Sequence, residues 1–432
     1  SGGGGLAGAA GSGAGGSGGG LAGGGGSAGA GGSAGVGGGC TTSVSGTIFD
    51  PAGVAPVYRA HVYAPSTTLE PVPEGISCTT CGVPLAGQPI ADTVTDVAGH
   101  FKLVGAPAGS NVPLVIQLGK WRRQITVPTV AACTDTALAD TTRTRLPRDS
   151  SEGHLPRIAV VTGHAGAIEC WLRKLGVSDS EFSPQTGTGR VHLFVGGAGM
   201  TLDEGAQQMS SGATFTDAYT SLFADPTALA SYDMVLLACE GEQLESEKDP
   251  YLANLKAYAD GGGRVLAEHL QSYWIRRGPD PWPATGVWLG VGTDPPTPLT
   301  ATLDTGTADG IALADWMSAL GAATDDQLSV TMPQNSLQSV VAPARQWLFA
   351  PLGTGPSSGS IPLLMTFATP VEATPGPQCG SVAFADLHVD VGDVSHPEVP
   401  FPQGCTSTAA PSPQERLLEF LLFDTPTCGP PP

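Results

Sequence analysis

Lysine is scarce in this chain, and charged residues of either sign are few. Only 13% of the 432 residues are charged, and 39 acidic residues outnumber 19 basic ones, for a formal net charge of −20. The lysines are Lys102, Lys120, Lys174, Lys248 and Lys256. Nucleic-acid binding requires a basic surface, so we expect no nucleic-acid partner. An acidic, weakly charged surface is more typical of a secreted protein than of a binder of polyanions.

Long apolar runs are also absent. No stretch reaches the roughly 18 consecutive apolar residues of a membrane-spanning helix, so we expect no transmembrane segment. The chain begins at Ser1 without a signal sequence. We expect that a signal peptide has been removed and that the protein is extracellular or lies at the cell surface. No zinc-finger or calcium-loop spacing is present, and no cofactor is expected.

Nine cysteines are present, most of them in Pro- and Gly-rich surroundings typical of surface loops. This distribution predicts disulfides and an oxidising compartment. The candidates are Cys40, Cys78, Cys81, Cys133, Cys379, Cys405 and Cys428. Cys78 and Cys81 are spaced for a small loop disulfide, and Cys428 is placed to pair with Cys405. The two cysteines in apolar runs are predicted to be buried thiols, namely Cys170 and Cys239.

The first 39 residues, Ser1 to Gly39, consist almost entirely of Gly, Ala and Ser. Such a segment has few side chains with which to form a core, and glycine loses more backbone entropy on folding than any other residue. Alone, the segment is expected to be a flexible tether. Packed on copies of itself, it could form extended helices of three residues per turn, because glycine permits close approach of chains. Assembly through this leader is therefore our first hypothesis.

Residues 40–145 have the pattern of a small all-β sandwich with one core. Short alternating runs such as Val44-Ser45-Gly46-Thr47-Ile48 and Phe101-Lys102-Leu103 are separated by turn sequences. In Asp50-Pro51-Ala52-Gly53, for example, Asp caps the turn backbone and Gly takes the left-handed conformation.

The order of four segments in this region resembles a carboxypeptidase regulatory-like domain: Ser45-Gly46-Thr47-Ile48-Phe49-Asp50, Ala60-His61-Val62-Tyr63, Thr95-Asp96-Val97-Ala98-Gly99-His100-Phe101 and Pro107-Ala108-Gly109. The resemblance implies a transthyretin-like sandwich without catalytic residues, used as a spacer or docking module. An insertion from about Ser66 to Gln88 departs from that family's pattern.

After a polar linker at residues 146–156, strands and helices alternate. The segment Tyr232–Ala238 is apolar throughout, as expected for a strand buried on both faces of a parallel sheet. A helix opens with Asp249-Pro250, and Arg264–His269 forms the next strand. This alternation predicts a doubly wound α/β domain over residues 157–428.

Residues 280–375 are rich in Pro, Gly and Thr and are predicted to be an insertion packed on the sheet. It includes a strand near Leu299–Leu303 and a helix near Ala308–Leu320. A final helix is indicated by a capping box, with Ser412 as N-cap and Glu415 three residues later. The predicted fold class is therefore multidomain: a Gly-rich leader, an all-β sandwich, and a doubly wound (flavodoxin-like) α/β domain with a β-rich insertion.

The strand Tyr232–Ala238, its end Cys239-Glu240-Gly241-Glu242 and the segment Gly261–His269 resemble the class I glutamine amidotransferase-like superfamily. Within it, they are most similar to the trehalose-utilisation-like (ThuA-like) branch, over about residues 157–275. Amidotransferases carry a cysteine nucleophile at the end of the last of these strands, where this chain has Glu268-His269, so the resemblance does not imply glutaminase chemistry. The order of the two parts resembles that of secreted proteins of a myxobacterial type.

Polar residues follow four of the predicted strands. Ligands of open α/β sheets bind at the carboxyl ends of strands, and the residues there are His164, Glu240, Glu268, His269 and His388. If they converge, three imidazoles and a carboxylate could hold a divalent metal ion or perform acid–base catalysis. The alternative is that each caps its own strand end, and no HExxH-type spacing supports a metal site. These residues stay candidates, and a non-catalytic role is favoured.

Other motifs favour structural roles. Cys239 ends a buried strand without an identified base, so we expect a structural thiol and not a nucleophile. Three acidic residues lack the spacing of a calcium loop and are interpreted as a solvated acidic loop: Asp386, Asp390 and Asp393. The most basic segment, Trp121-Arg122-Arg123, is interpreted as the flank of a hairpin, with sugar binding as the alternative.

Two functions stay open. The first is a secreted or cell-surface structural protein, a subunit of an extracellular filament or surface assembly that binds copies of itself through the Gly-rich segment. The alternative is a secreted ThuA-like enzyme or carbohydrate-binding protein that uses the strand-end His and Glu residues, with a cell-surface glycan as its partner.

Overall fold

The computed structural model describes residues 40–78, 85–197, 204–290, 292, 294–352, 359–371, 378–389, 393 and 396–424. The leader, residues 1–39, lies outside the described residues, as do Cys81 and Cys428. The described part of the chain belongs to one compact unit. It is a mixed α/β protein whose strands form sheets of three, four, eleven and two strands.

Seven strands make up the N-terminal part: β1 (Ser43–Thr47), β2 (His61–Pro65), β3 (Pro89–Val94), β4 (His100–Val104), β5 (Gly109–Leu118), β6 (Trp121–Val130) and β7 (Asp135–Leu138). One sheet has the order β4-β1-β7 and the other β3-β2-β5-β6. Alternate residues of β4 point inward, so Phe101 and Leu103 are buried between exposed neighbours. They join Val44, Val62 and Ile116 in a cluster shared by both sheets, as the alternating sequence pattern predicts.

The next part contains strands β8 (Ile158–Thr162), β9 (Phe182–Pro184), β10 (Val191–Val195), β11 (Thr216–Asp217), β12 (Met234–Leu237) and β13 (Arg264–Glu268). Its α-helices are α1 (Ile168–Lys174), α2 (Pro226–Ala230), α3 (Glu245–Lys248), α4 (Leu252–Asp260) and α5 (Tyr273–Arg276). Short 3-10 helices lie at Asp179–Glu181, Asp249–Tyr251, His269–Ser272 and Trp282–Thr285, and a π-helix at Tyr219–Phe223.

The remaining elements are β14 (Gly286–Trp288), β15 (Leu299–Leu303), α6 (Ala308–Ala319), β16 (Gln327–Val330), β17 (Leu337–Val340), β18 (Arg345–Leu352), β19 (Gly359–Thr369), β20 (Gly380–Ala385) and α7 (Pro413–Asp424). Strands β19, β18, β15 and β16 continue the large sheet beyond β20 with antiparallel pairing. These four strands therefore widen the sheet within its own plane, and for them the expectation that the insertion packs on the sheet is wrong. Strands β14 and β17 of the insertion do pack on the sheet, where Trp288 meets Phe384 edge-on at 5.5 Å. None of the described helices is both long and apolar enough to cross a membrane.

Five strands of the large sheet are parallel and lie in the order β10-β8-β12-β13-β20. Numbered along the chain, this order is 2-1-3-4-5. Their side chains alternate between two buried clusters, so Val160 joins Trp171 of α1 and Leu417 of α7, whereas Val161 joins Leu255 of α4. Helices thus cover both faces, which explains why these strands are apolar throughout.

The N-terminal sheets pack against α7. The ring of Phe420 stacks on Tyr58 at 6.2 Å, and Phe423 meets Trp121 edge-on at 5.6 Å. Glu415 N donates to Ser412 Oγ (3.3 Å) and its carboxylate accepts from Ser412 N (2.5 Å), so the predicted capping box is confirmed.

The segment 146–156 is docked between the two parts. Leu146 and Leu155 are buried in the cluster that both parts share. Arg145 forms a two-pronged ion pair with Glu152, with both N–O distances 2.6 Å. The domain boundaries proposed from the sequence stay predictions, but residues 146–156 pack against both neighbouring parts.

The insertion between Ser66 and Gln88 also binds the α/β part. Glu74 accepts two hydrogen bonds from Arg190, at 3.1 and 2.9 Å, and Ile76 N donates to Ala230 O at 2.9 Å. A disulfide joins Cys78 to Cys379. The segment that interrupts the predicted sandwich pattern therefore fastens one part of the protein to the other.

Three disulfides lie within the described residues: Cys40–Cys133, Cys78–Cys379 and Cys170–Cys405. The predicted loop disulfide between Cys78 and Cys81 is wrong, because Cys78 pairs with a cysteine distant in sequence. The predicted thiol at Cys170 and the predicted pairing of Cys405 with Cys428 are wrong as well. Cys170 lies in the first turn of α1. The apolar sequence of that helix did not reveal that Cys405 would pack against it. Disulfides of this kind fit an extracellular protein.

Candidate functional site

Three neighbouring parallel strands, β12, β13 and β20, end at the same edge of the sheet. The residues that follow them include Cys239, His269 and His388. One ligand atom from each of these three side chains lies within 4.8 Å of the other two. We call these three residues the strand-edge cluster. It adjoins the position between β8 and β12 at which the strand order reverses, where open α/β sheets bind ligands.

The geometry within the strand-edge cluster is close. Cys239 Sγ lies 3.4 Å from His269 Nδ1, and the rings of His269 and His388 meet edge-on with centroids 5.1 Å apart. His388 Nδ1 is 2.7 Å from Ala165 O, in the loop after β8. Because a carbonyl can only accept, Nδ1 carries the proton and Nε2 of neutral His388 keeps a free lone pair.

Glu268 connects the strand ends that carry the cluster. One carboxylate oxygen accepts from Cys239 N at 2.9 Å, and the other accepts from Val389 N. A side chain at Gly166 would place its Cβ 2.2 Å from Glu268 Oε2, so the loop after β8 can approach only as glycine. Glu268 is fully buried and acts here as a positioning residue.

His269 has an unusual backbone conformation, with φ at +42°. A non-glycine residue in this region costs about 1–2 kcal/mol, and such conformations are concentrated at functional sites. The strand β13 ends immediately before it, and a 3-10 helix begins at His269. The conformation directs the imidazole toward Cys239 instead of continuing the strand.

Burial sets the protonation of the cluster. It raises the pKa of the Cys239 thiol to about 12, with the Glu268 charge adding to the effect. It lowers the pKa of His269 to about 3, assisted by His388, and it also lowers the pKa of His388. Burial raises the pKa of Glu268 to about 7 against the opposing hydrogen bonds from Cys239 and Val389.

A neutral thiol beside neutral imidazoles is not the thiolate–imidazolium pair of a cysteine nucleophile. Neutral imidazole is, however, the form that binds metal ions, and a thiol that binds a metal ion releases its proton to solvent. The geometry and the protonation together favour ligand or metal binding over nucleophilic attack by Cys239.

Two of the predicted candidates lie outside the strand-edge cluster. The ring of His164 packs edge-on against His396 at 4.6 Å, and His164 Nδ1 is buried without a hydrogen-bond partner among the described residues. Glu240 lies in a separate buried ion pair, 2.7 Å from Lys248 Nζ. It also accepts from Tyr219 OH at 2.7 Å. The structure thus brings together His269, Glu268 and His388 but not all of the strand-end residues.

The acidic residues after β20 are not a solvated loop. Asp386 is buried and accepts from Ser336 N at 2.6 Å. Asp393 pairs with Lys174 at 3.2 Å, with its own side chain inaccessible to solvent. The expectation of solvent exposure is therefore wrong for these two, and Asp390 lies outside the described residues.

The basic segment at the start of β6 is the flank of a hairpin, as predicted. Trp121 is buried, Arg122 donates to Glu70 O at 2.7 Å, and Arg123 donates to Thr142 O at 2.9 Å. These side chains bind their own chain, which leaves the alternative of sugar binding without support here.

Cys239 is the member of the cluster that sequence reasoning assigned to a purely structural role. No base was identified for it, because His269 is 30 residues away in sequence. A signal was available in the positions of the two residues. Cys239 follows one predicted strand immediately and His269 ends the next, and neighbouring parallel strands place such residues side by side.

No protein-family model and no curated protein matches the chain. Among solved structures, the crystal structure of a protein named SMU.1228c is similar at 11% sequence identity and a TM-score of 0.31. The similarity covers 55% of this chain and 78% of that chain. So low a similarity supports no conclusion about the fold or function of this protein.

Proposed function

We propose that this is a secreted protein whose α/β part binds or transforms a small polar ligand at the carboxyl edge of its parallel sheet. In this proposal the α/β part is flavodoxin-like and related to the ThuA-like branch of the amidotransferase-like superfamily. The strand order 2-1-3-4-5 supports it, since that order is typical of flavodoxin-like folds. The disulfides Cys40–Cys133, Cys78–Cys379 and Cys170–Cys405 support an extracellular location.

One observation carries the functional part of the proposal. Cys239, His269 and His388 come from three different strand ends and lie within 4.8 Å of one another. Parallel strands bring these positions to one edge of the sheet, but they do not by themselves turn a sulfur and two imidazoles toward one another, and burying imidazoles together carries a desolvation cost. Positive φ at His269 adds to that cost, which a binding function would explain.

The N-terminal sandwich is proposed to be a transthyretin-like docking module. Its inner face is packed on itself and on α7, through Tyr58–Phe420 and Trp121–Phe423 contacts. Among its described residues, no group of three His, Cys, Asp or Glu side chains is placed to hold a metal ion. Its role would be to present and stabilise the α/β part.

Assembly through residues 1–39 is a separate proposal, because it rests on composition outside the described residues. A subunit of an extracellular filament or surface layer, bound to copies of itself, could still carry a ligand site on its α/β part. The two proposals therefore do not exclude each other.

A binding and activity screen tests the proposed site. The intact protein is screened against glycans and ester, amide and glycoside substrates by calorimetry and chromogenic assay. We expect a hit that His388→Gln abolishes and that His100→Gln leaves unchanged, since His100 lies at the start of β4 with 65% of its side chain accessible. A hit that survives His388→Gln, or no hit across the screen, would contradict the proposal.

A further inference from the structure

We propose that Cys239, His269 and His388 form a mononuclear site for a divalent transition-metal ion of the zinc class. This inference rests on the proposed function, which it deepens by naming what the strand-edge cluster holds. The distance between Cys239 and His269 fits such an ion, and the ligand atom of His388 lies within 4.8 Å of both. Ligands about 2.3 Å (sulfur) and 2.0–2.1 Å (nitrogen) from tetrahedral zinc lie about 3.5 Å apart, and Cys239 Sγ lies 3.4 Å from His269 Nδ1.

His388 has the second contact that is typical of a metal-binding histidine. Its Nδ1–H donates to Ala165 O at 2.7 Å, so Nε2 is the nitrogen free to bind an ion. A ligating imidazole usually donates its other N–H to a carbonyl or carboxylate, which fixes its ring and its tautomer. The carbonyl comes from β8's loop, so a fourth strand end helps to orient the site.

The backbone around the cluster is fixed before any ion binds. Glu268 accepts from the backbone N–H of Cys239 and of Val389, the neighbour of His388. His269 holds its imidazole toward the sulfur at φ +42°. The three ligands thus come from positions that are constrained by hydrogen bonds and by local backbone geometry, as a selective site requires.

The chemistry of the ligands selects the metal. One thiol and two imidazoles suit zinc, cobalt and copper, whereas calcium and magnesium prefer oxygen ligands. Cys239 is a buried free thiol, while six other described cysteines are in disulfides. An oxidising compartment makes a retained thiol unusual, and binding a metal ion would explain its retention.

Three protein ligands leave a fourth tetrahedral position. Structural zinc sites are closed by four protein ligands, whereas sites that act on substrates keep one position for water or for a ligand oxygen. His269 is only partly buried, so the site reaches solvent on its side. The ligand class that fits is a small molecule with a carbonyl or hydroxyl oxygen that can bind the ion.

Cobalt titration tests the site directly. Untagged, full-length protein with intact disulfides is titrated with Co²⁺ and followed by absorbance. We expect one equivalent to bind with a sulfur-to-cobalt charge-transfer band. Cys239→Ser should remove the band, and His388→Gln should weaken binding at least about 100-fold, the upper end of what losing an outer partner costs. His100→Gln should change neither.

Binding without the charge-transfer band, or a band that survives in Cys239→Ser, would overturn the inference. A measurement on the wild type alone covers the case in which variants fail to fold. Stoichiometric Zn²⁺ should raise its thermal midpoint, because an ion that binds the folded state stabilises it. An unchanged midpoint would also overturn the inference. Metal binding without any hit in the substrate screen would support this inference and contradict the proposed function. A hit in the screen without metal binding would support the proposed function and contradict this inference.

Discussion

Glu268 controls the geometry of the strand edge, since it is the residue through which β12, β13 and the segment after β20 are joined. Its carboxylate accepts from two backbone N–H groups and is fully buried. Such a residue contributes by satisfying donors that would otherwise be buried without partners. It need not touch a ligand to be essential for the site.

Glu268→Gln is therefore expected to lower the free energy of unfolding by about 1–3 kcal/mol, because the new amide nitrogen would face an N–H donor. Urea unfolding monitored by tryptophan fluorescence measures the change. Glu242→Gln is the matched control, since Glu242 lies at the end of the same strand region and is exposed. Equal stability of the two variants would contradict the role given to Glu268.

A second buried carboxyl, Glu419 on α7, faces Asp50 of the N-terminal part and Arg416 of its own helix. Burial raises the pKa of Glu419 well above its usual range, the Asp50 charge raises it further, and Arg416 opposes the shift. Folded protein thus retains a proton that unfolded protein releases. Stability from this group is fully present below pH 4.5, the usual value, and declines as the pH rises above it.

Glu419→Gln mimics the protonated carboxyl and should remove this pH dependence. We expect the variant to match the wild type near pH 4.5 and to be more stable by about 1 kcal/mol or more at pH 8, since one pKa unit corresponds to about 1.4 kcal/mol. Urea unfolding across this pH range measures the difference. The exposed Glu398→Gln serves as control. A stability gap that does not widen with pH would contradict the assignment.

At the scale of elements, the segment between Ser66 and Gln88 has the clearest consequence. It is an interruption in a sandwich pattern, and it supplies Glu74, Ile76 and Cys78 to the junction with the α/β part. The disulfide Cys78–Cys379 closes a sequence separation of 301 residues, against 93 for Cys40–Cys133. A disulfide that closes a longer loop restricts the unfolded chain more.

Replacing both Cys78 and Cys379 by Ser should lower the free energy of unfolding by about 2–4 kcal/mol. It should also expose the segment to limited proteolysis, because the remaining contacts are a few hydrogen bonds and the packing of Ile76 on the α/β part. Replacing Cys40 and Cys133 by Ser is the matched control, for which we expect a stability loss without new cleavage in that segment. Identical cleavage patterns in the two variants would contradict the fastening role.

Local patterns predicted many elements well. The capping box at Ser412 and Glu415, the hairpin of β5 and β6, and the buried strand β12 each depend on neighbours in sequence. What sequence could not supply were pairings set by the tertiary fold. The bond of Cys170 to Cys405 and the approach of Cys239 to His269 depend on which strands lie side by side.

The widening of the sheet by β15, β16, β18 and β19 was missed for a related reason. Their lengths and positions could be predicted, but a strand that extends a sheet and a strand that packs on it have the same local pattern. The rule that ligands of open α/β sheets bind at the carboxyl ends of strands identified His269 and His388 as neighbours in the site. It placed Glu240 there too, although the buried Lys248 draws Glu240 into an ion pair at 2.7 Å.

At the scale of the whole molecule, the described residues form one compact unit. Assembly through the leader, residues 1–39, stays a prediction from composition. A chain of Gly, Ala and Ser becomes ordered only when other polypeptide surrounds it.

Electron microscopy of the purified protein with and without residues 1–39 tests the assembly hypothesis. We expect filaments or ordered arrays with the leader and monodisperse particles without it. Monodisperse particles in both samples would contradict assembly and leave the leader as a tether.

X-ray absorption spectroscopy at the zinc edge, on protein loaded with one equivalent of zinc, is the decisive experiment for the strand-edge cluster. Cys239, His269 and His388 predict one sulfur at about 2.3 Å and two imidazole nitrogens at about 2.0–2.1 Å. A coordination shell of oxygen and nitrogen without sulfur would show that zinc binds elsewhere, and it would contradict the claim that the strand-edge cluster is the functional site.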